Sequence, residues 1–221
     1  MQIDFYGEKK TRADFELIIS NAMLNFEDND SIRALKSGSF TLANYHTLLC
    51  NLFYQVYHSS STFALAGSKM SSARNEARQY LFHHAEEEKT HWEWILNDLR
   101  ETGYIGKMPN TQPPTIAAAT YVALNYYIAE YNPIARLGIA LMLETIGAKF
   151  GEAYGVHLLK SLKLKKEQAT FLFGHGEADT HHIIDLWKTI ETSNVQPNEW
   201  NLMCTISNAA ANLYKDLYKL T

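Results

Sequence analysis

Cysteine is scarce in this chain, and its scarcity is informative. Cys50 and Cys204 are the only two among 221 residues. Two thiols so far apart give neither a disulfide framework nor thiolate metal-ligand spacing, and they suit a reducing compartment. Both are expected to be small buried apolar residues. An excess of positive charge is also lacking: 20 basic residues stand against 24 acidic ones, for a net charge of −4. Nothing here points to nucleic acid or to an anionic membrane as a partner. Long apolar runs are missing, because Asn, Glu or Lys interrupts each within a few turns, so no membrane span is expected. The start Met1-Gln2-Ile3-Asp4-Phe5 lacks the basic segment and apolar run of a secretory signal. A cytoplasmic protein is therefore expected. Period-two alternation is lacking too, which excludes a sheet-based fold.

What is present is a globular composition, 46% hydrophobic and 20% charged, in a chain long enough to bury one core without staples. A single domain over residues 1–221 is expected, since no shift in composition marks a second one. Helical periodicity runs through Asp14 to Asp28, with Phe15, Ile18, Ile19, Ala22 and Phe26 on one face. Thr41 is placed to cap a second helix reaching Ala66-Gly67. A long helix is expected from Ser71 or Ser72 to Glu101, closed by Gly103. Gly106 to Pro114 holds three of the five prolines and reads as loop. Thr115 to Tyr131 is again helical. Pro133 opens the next helix, which runs through Glu144 toward Gly155. Gly138, Gly147, Gly151 and Gly155 would permit close helix approach there. A short element at Val156 to Leu162 and helices over Lys166–Ile190 and Pro197–Leu220 complete the chain. The expected fold class is all-α, about seven or eight helices around one core.

Six of the nine histidines lie in two clusters, His83-His84-Ala85-Glu86-Glu87-Glu88-Lys89-Thr90-His91 and His175-Gly176-Glu177-Ala178-Asp179-Thr180-His181-His182. On a wheel of about 100° per residue, Ala77, Leu81, Ile95 and Leu99 define an apolar stripe with Glu88 at its middle. His84 and His91 fall within about a sixth of a turn of it, Glu87 near its edge, and His83 and Glu86 elsewhere. In the second cluster Leu172, Ile183, Leu186 and Ile190 define the stripe. There Asp179 is central, flanked by His175 and His182, while His181 points away. Glu144 shares its face with Leu137, Ala140, Leu141 and Ala148. An acid centred on a buried stripe is costly unless paired or bound to a cation. Each piece alone has an ordinary explanation as a solvated acidic face or a satisfied core histidine. Three helices each turning a carboxylate inward is harder to explain so. Carboxylate-x-x-His on two core helices, as Glu88-x-x-His91 and Asp179-x-x-His182, is how helical bundles build two-metal sites. Oxygen and nitrogen donors without thiolate suit iron or manganese.

These residues resemble the haem-oxygenase-like diiron oxidases and oxygenases, a group that includes iron-containing redox enzymes and lies near the TenA-like thiaminases and the pyrroloquinoline-quinone synthases. The resemblance rests on Glu88-x-x-His91, the following Trp92-x-Trp94-Ile95-Leu96-x-Asp98-Leu99, then Glu144, then His175-x3-Asp179-x2-His182. It implies a haem-oxygenase-like helical bundle. It further implies that Glu88, His91, Glu144, His175, Asp179 and His182 ligate two iron ions, with manganese as a substitute. Position 84, seven before His91, holds a histidine where an acid would match. His84 and Glu87 therefore stay open as additional or alternative ligands.

The resemblance implies O2 as co-substrate and a small organic substrate: a fatty acid, an amino acid or an amine. A homodimer stays open. Two other readings fit the sequence. One is a metal-free hydrolase or transferase of the TenA type, for which Cys50 is the candidate nucleophile by residue type alone. The other is a non-catalytic helical binding protein with its inward acids paired to histidines. A haem oxygenase would need a proximal histidine near the N-terminus, and none precedes His46. Tyr45, Phe53, Tyr54 and Tyr57 on the second helix are read as core. Arg136 is left open between a substrate-carboxylate partner and a surface residue.

Overall fold

Helix starts in this chain are set by side-chain caps. The computed structural model describes residues 9–220, with the backbone alone for 175–180. Thr11 and Asp14 form a reciprocal capping box at α1 (Arg12–Glu27), and Thr41 and Asn44 form another at α3 (Leu42–Lys69). Between them, the Asn29 side chain accepts from the Ile32 amide at the start of α2 (Asp30–Ser37), which Gly38 ends at φ 74°. That positive φ is the left-handed cap conformation glycine adopts without a Cβ penalty. The remaining helices are α4 (Asn75–Glu87), α5 (Trp92–Glu101), α6 (Ile116–Tyr131), α7 (Pro133–Leu162), α8 (Thr170–Thr192) and α9 (Pro197–Asp216), and no strand occurs among the described residues.

The structure corrects the expected elements in three places. Helix α2 is additional, making nine α-helices among the described residues. It is short and mostly polar, and buries only Ser31, Ile32 and Leu35. The expected helix over 71–101 is divided by a 3-10 turn at Glu88–Thr90. Val156–Leu162 is not separate but continues α7. Gly155 is internal there because a Cβ would meet the Phe173 ring at 3.1 Å, so it serves contact with α8 rather than helix ending.

The layers form around the two longest helices. Helix α3 packs on α4 and α6, and α7 packs on α8 and α9, with α1 against α9. Every residue from Ile134 to Met142 of α7 is buried, as expected of a helix enclosed on all sides. A Cβ at Gly138 would lie 2.3 Å from Met203 Cγ of α9, so this glycine sets how closely α7 and α9 approach.

The start of α8 is anchored from another helix. Asp98 of α5 is fully buried. Its Oδ1 accepts from the Thr170 amide at 2.8 Å and the Thr170 hydroxyl at 2.6 Å. Its Oδ2 accepts from the Phe171 amide at 3.0 Å and the Tyr45 hydroxyl at 3.3 Å. These are first-turn donors that an α-helix cannot satisfy internally. The anchor ties α5, α3 and α8 together, and α8 packs in turn against α4 and α7.

Candidate metal centre

The 3-10 turn at Glu88–Thr90 shapes the first part of the site. In such a turn side chains three apart eclipse one another, and His91 Nδ1 lies 3.0 Å from Glu88 Oε1. Both groups are buried or nearly so, at 12% and 7% side-chain exposure. One turn earlier His84 is completely enclosed. Its ring meets Phe63 edge-on with centroids 4.3 Å apart, and its Nδ1 lies 3.3 Å from the Tyr80 hydroxyl. Burial, followed by the nearby Glu144 and Glu87 carboxylates, pushes the Tyr80 hydroxyl strongly upward.

Glu144 of α7 lies between two imidazoles. Its Oε1 is 3.3 Å from His84 Nε2, and its Oε2 is 3.2 Å from His182 Nδ1 of α8. Glu87 Oε2 completes the cluster at 3.7 Å from His84 Nδ1 and 3.6 Å from His182 Nε2. Burial alone would lower the His182 pKa, but Glu144, Glu87 and Glu88 together outweigh it and the net shift is upward.

Two triplets bring one potential ligand atom per residue within 4.8 Å of one another: His84, Glu87 and His182, and His84, Glu88 and Glu144. His84 belongs to both. Its Nε2 is buried and makes no aligned hydrogen bond, with Glu144 Oε1 beside it at 3.3 Å. Imidazole and carboxylate donors without thiolate fit iron or manganese.

The structure thus brings together Glu88, Glu144 and His182 of the expected ligands, and gives His84 a central place and Glu87 an edge place. His91 adjoins Glu88 while its ring lies flat on Trp94, with centroids 4.2 Å apart. The side chains of His175 and Asp179 lie outside the described residues. His83 and Glu86 face outward at 73% and 67% side-chain exposure, and His181 is exposed, as the wheels required.

Beside the carboxylates is a cavity of about 80 Å³, measured as the space open to the centre of a water molecule. Glu88, Glu144 and Arg136 are among its polar lining residues, and Phe150, Phe171 and Leu172 are among its apolar ones. Gly147 and Gly151 line it, so two of the four α7 glycines open space for a ligand. Sequence reasoning left Arg136 undecided. It is buried on α7, where burial lowers the guanidinium pKa to about 10. The visible signal was a charge inside the apolar run Pro133–Met142. Tyr80 and Phe63 were missed because a lone aromatic on a helix face reads as core.

The other candidates lie elsewhere. Cys50 is half-buried, lies outside the cavity lining, and has its thiol pushed up by burial. His46 Nε2 lies 2.9 Å from the Thr102 hydroxyl, and no histidine is among the cavity-lining residues. Tyr45, Phe53 and Tyr54 are core, whereas Tyr57 is half exposed. No helix is long and apolar enough to cross a membrane among the described residues.

A family described as iron-containing redox enzyme matches residues 46–203. Among solved structures, a domain of unknown function with a heme oxygenase-like fold from Shewanella denitrificans OS217 superposes with a TM-score of 0.86 at 18% identity, over 96% of this chain and 91% of that one. A TenA homolog from Pseudomonas syringae pv. tomato DC3000 gives 0.72 at 13% identity, over 96% and 98%. Heme oxygenase-1 from the cyanobacterium Synechocystis sp. PCC6803, in complex with heme, gives 0.69 at 14% identity, over 93% and 89%. At these identities the likeness is one of fold, haem-oxygenase-like and all-α. No curated protein matches the chain.

Proposed function

This chain belongs to the iron-containing redox enzyme family, and we propose that it is a non-haem diiron oxidase or oxygenase acting on a small organic substrate. The observation that carries this reading is the Glu144 carboxylate held between His84 and His182, with Glu88 buried beside it. Acids in an apolar interior are costly unless a cation neutralises them.

Glu88, His91, Glu144 and His182 would hold the metals, with His84 and Glu87 beside them and His175 and Asp179 on the same helix as His182. Bound there, two iron ions would supply the reduction of O2 coupled to oxidation of the substrate. The chain's own contribution is orientation and exclusion of water. Phe63 and Tyr80 fix the His84 ring, and Asp98 fixes the start of α8. The apolar walls of the cavity hold a substrate against the carboxylates that line it.

The test is metal content. Protein from iron-supplemented culture should carry about two irons per chain, and His182→Ala or Asp179→Ala should abolish occupancy. Metal analysis and anaerobic Fe(II) titration that both show no specific binding would end the proposal. They would favour paired acids in a non-catalytic protein.

A further inference from the structure

Arg136 is a buried charge without an ion-pair partner among the described residues. Its guanidinium is buried and lies over the Phe63 ring, 3.7 Å from the centroid. Its Nε and Nη2 reach a single hydroxyl, Thr62 Oγ1, at 3.4 and 3.3 Å. Its Nη1 has no hydrogen-bond partner, and no carboxylate comes within ion-pair distance of it among the described residues. A buried guanidinium is ordinarily held by a carboxylate or phosphate in fork geometry. Glu88 and Glu144 are near enough to stabilise its charge through space, but they are engaged with imidazoles.

Its surroundings are built for a ligand. A second, smaller cavity of about 10 Å³, room for one water, is also lined by Arg136. Gln55, Ser59 and Arg136 line both cavities. The smaller one is also lined by Tyr121 and Asn125, whose hydroxyl and Oδ1 are each buried without a hydrogen-bond partner. Three residues on two helices that line the small cavity therefore each carry an unsatisfied buried polar atom. One water in the small chamber can serve Tyr121 and Asn125. It leaves the positive charge of Arg136 unbalanced.

We propose that the junction of Arg136, Gln55 and Ser59 is an anion subsite that takes a single carboxylate-type group, with any apolar body of the same molecule lying in the larger cavity past Phe150 and Gly151. The inference deepens the proposed function by assigning a charge to the substrate and a residue to its recognition. It does not require the metals. The anionic group is carried by an organic acid or is a free small anion, and the two are separable. Arg136 acts here in binding, and no bond is made or broken at it.

The experiment uses the protein as purified, with iron measured on the same sample. Hexanoate, hexanol, acetate and chloride are titrated at constant ionic strength, and binding is read by thermal unfolding and calorimetry. Hexanoate is expected to raise the melting temperature in a saturable way and hexanol of equal chain length to do so at least tenfold more weakly. Arg136→Met should fold, because a buried unpaired charge is replaced by an apolar side chain of similar length, and should lose the preference for hexanoate. Arg136→Lys should keep part of it. Acetate or chloride binding as tightly as hexanoate would assign the subsite to a free anion. Equal effects of hexanoate and hexanol, or an unchanged preference in Arg136→Met, would overturn the subsite. So would no binding by any of the four, leaving a water-filled chamber. Because iron is counted on the same sample, an iron-loaded protein that ignores hexanoate sinks this inference alone. An iron-free protein that binds hexanoate through Arg136 sinks the metal reading alone.

Discussion

The rings of His84 and His182 meet edge to face across α4 and α8, with centroids 4.6 Å apart, and one carboxylate, Glu144, reaches both. Centroids at that distance are edge-to-face ring packing, and the shared carboxylate adds one acidic partner for both imidazoles.

Glu144→Gln should weaken Fe(II) binding by more than about tenfold, because it removes the charge at the centre of the cluster. Glu86→Gln, in the same acidic run as Glu87 and Glu88 but 67% exposed, should leave binding unchanged. Anaerobic titration of both variants checks the pair. Equal losses would mean that the acidic run attracts cations by bulk charge.

Alkylation of Cys50 should proceed slowly and should not alter iron stoichiometry. Burial raises its thiol pKa, opposed by Tyr104, and the side chain does not line the cavity. Mass spectrometry of the modified site alongside metal analysis measures both. Loss of iron or of ligand binding on modification would revive a thiol-based reading.

Asp98→Ala should destabilise the protein by about 2–4 kcal/mol, since it strips the first-turn amides of α8 of their acceptor. Asp98→Asn should cost less, and its cost should depend on pH. Burial pushes the Asp98 carboxyl upward, and hydrogen bonds from Thr170, Phe171 and Tyr45 only partly oppose this. A carboxyl whose folded-state pKa exceeds its unfolded value of about 3.9 binds protons better when folded. Its contribution is greatest below the unfolded value and is lost as pH rises through the folded one. Denaturant unfolding in a pH series should therefore show the gap between wild type and Asp98→Asn narrowing as pH rises. A gap that widens toward neutral pH would show that hydrogen bonding outweighs burial.

Gly138→Ala should cost about 1–3 kcal/mol by overpacking. The added methyl would sit 2.3 Å from Met203 Cγ and 3.0 Å from Ser207 Oγ, neither of which can swing freely in a buried helix contact. Urea unfolding would show it as a lower midpoint with unchanged slope. An unaltered midpoint would mean that α9 shifts at no cost.

Much of this arrangement was legible in the sequence because burial follows helical phase. Glu88, His84 and Glu144 fall on apolar stripes and are buried, while His83, Glu86 and His181 fall off them and are exposed. Phase does not report which elements meet, so the pairing of His84 with Glu144 was not predictable from spacing. The α4–α5 break was hidden because residues 88–90 contain neither Gly nor Pro. Helix α2 was hidden because only two large apolar side chains, Ile32 and Leu35, are buried by it, too few to make a period. The anchoring role of Asp98 was hidden, since the α8 amides it accepts from lie about seventy residues away. The fate of Gly147 and Gly151 depended on a neighbour they do not touch in sequence.

The short turn at Glu88–Thr90 also acts as a crankshaft between two jobs. Three residues wound at 120° instead of 100° rotate everything after them by about 60°. That offset decides which side of α5 presents Asp98 to the first turn of α8. Straightening the joint would misalign Glu88 and His91 and, in the same motion, swing the anchor of α8 away. The geometry of the carboxylate cluster and the seating of a helix four elements on are therefore set by one angular step in the backbone.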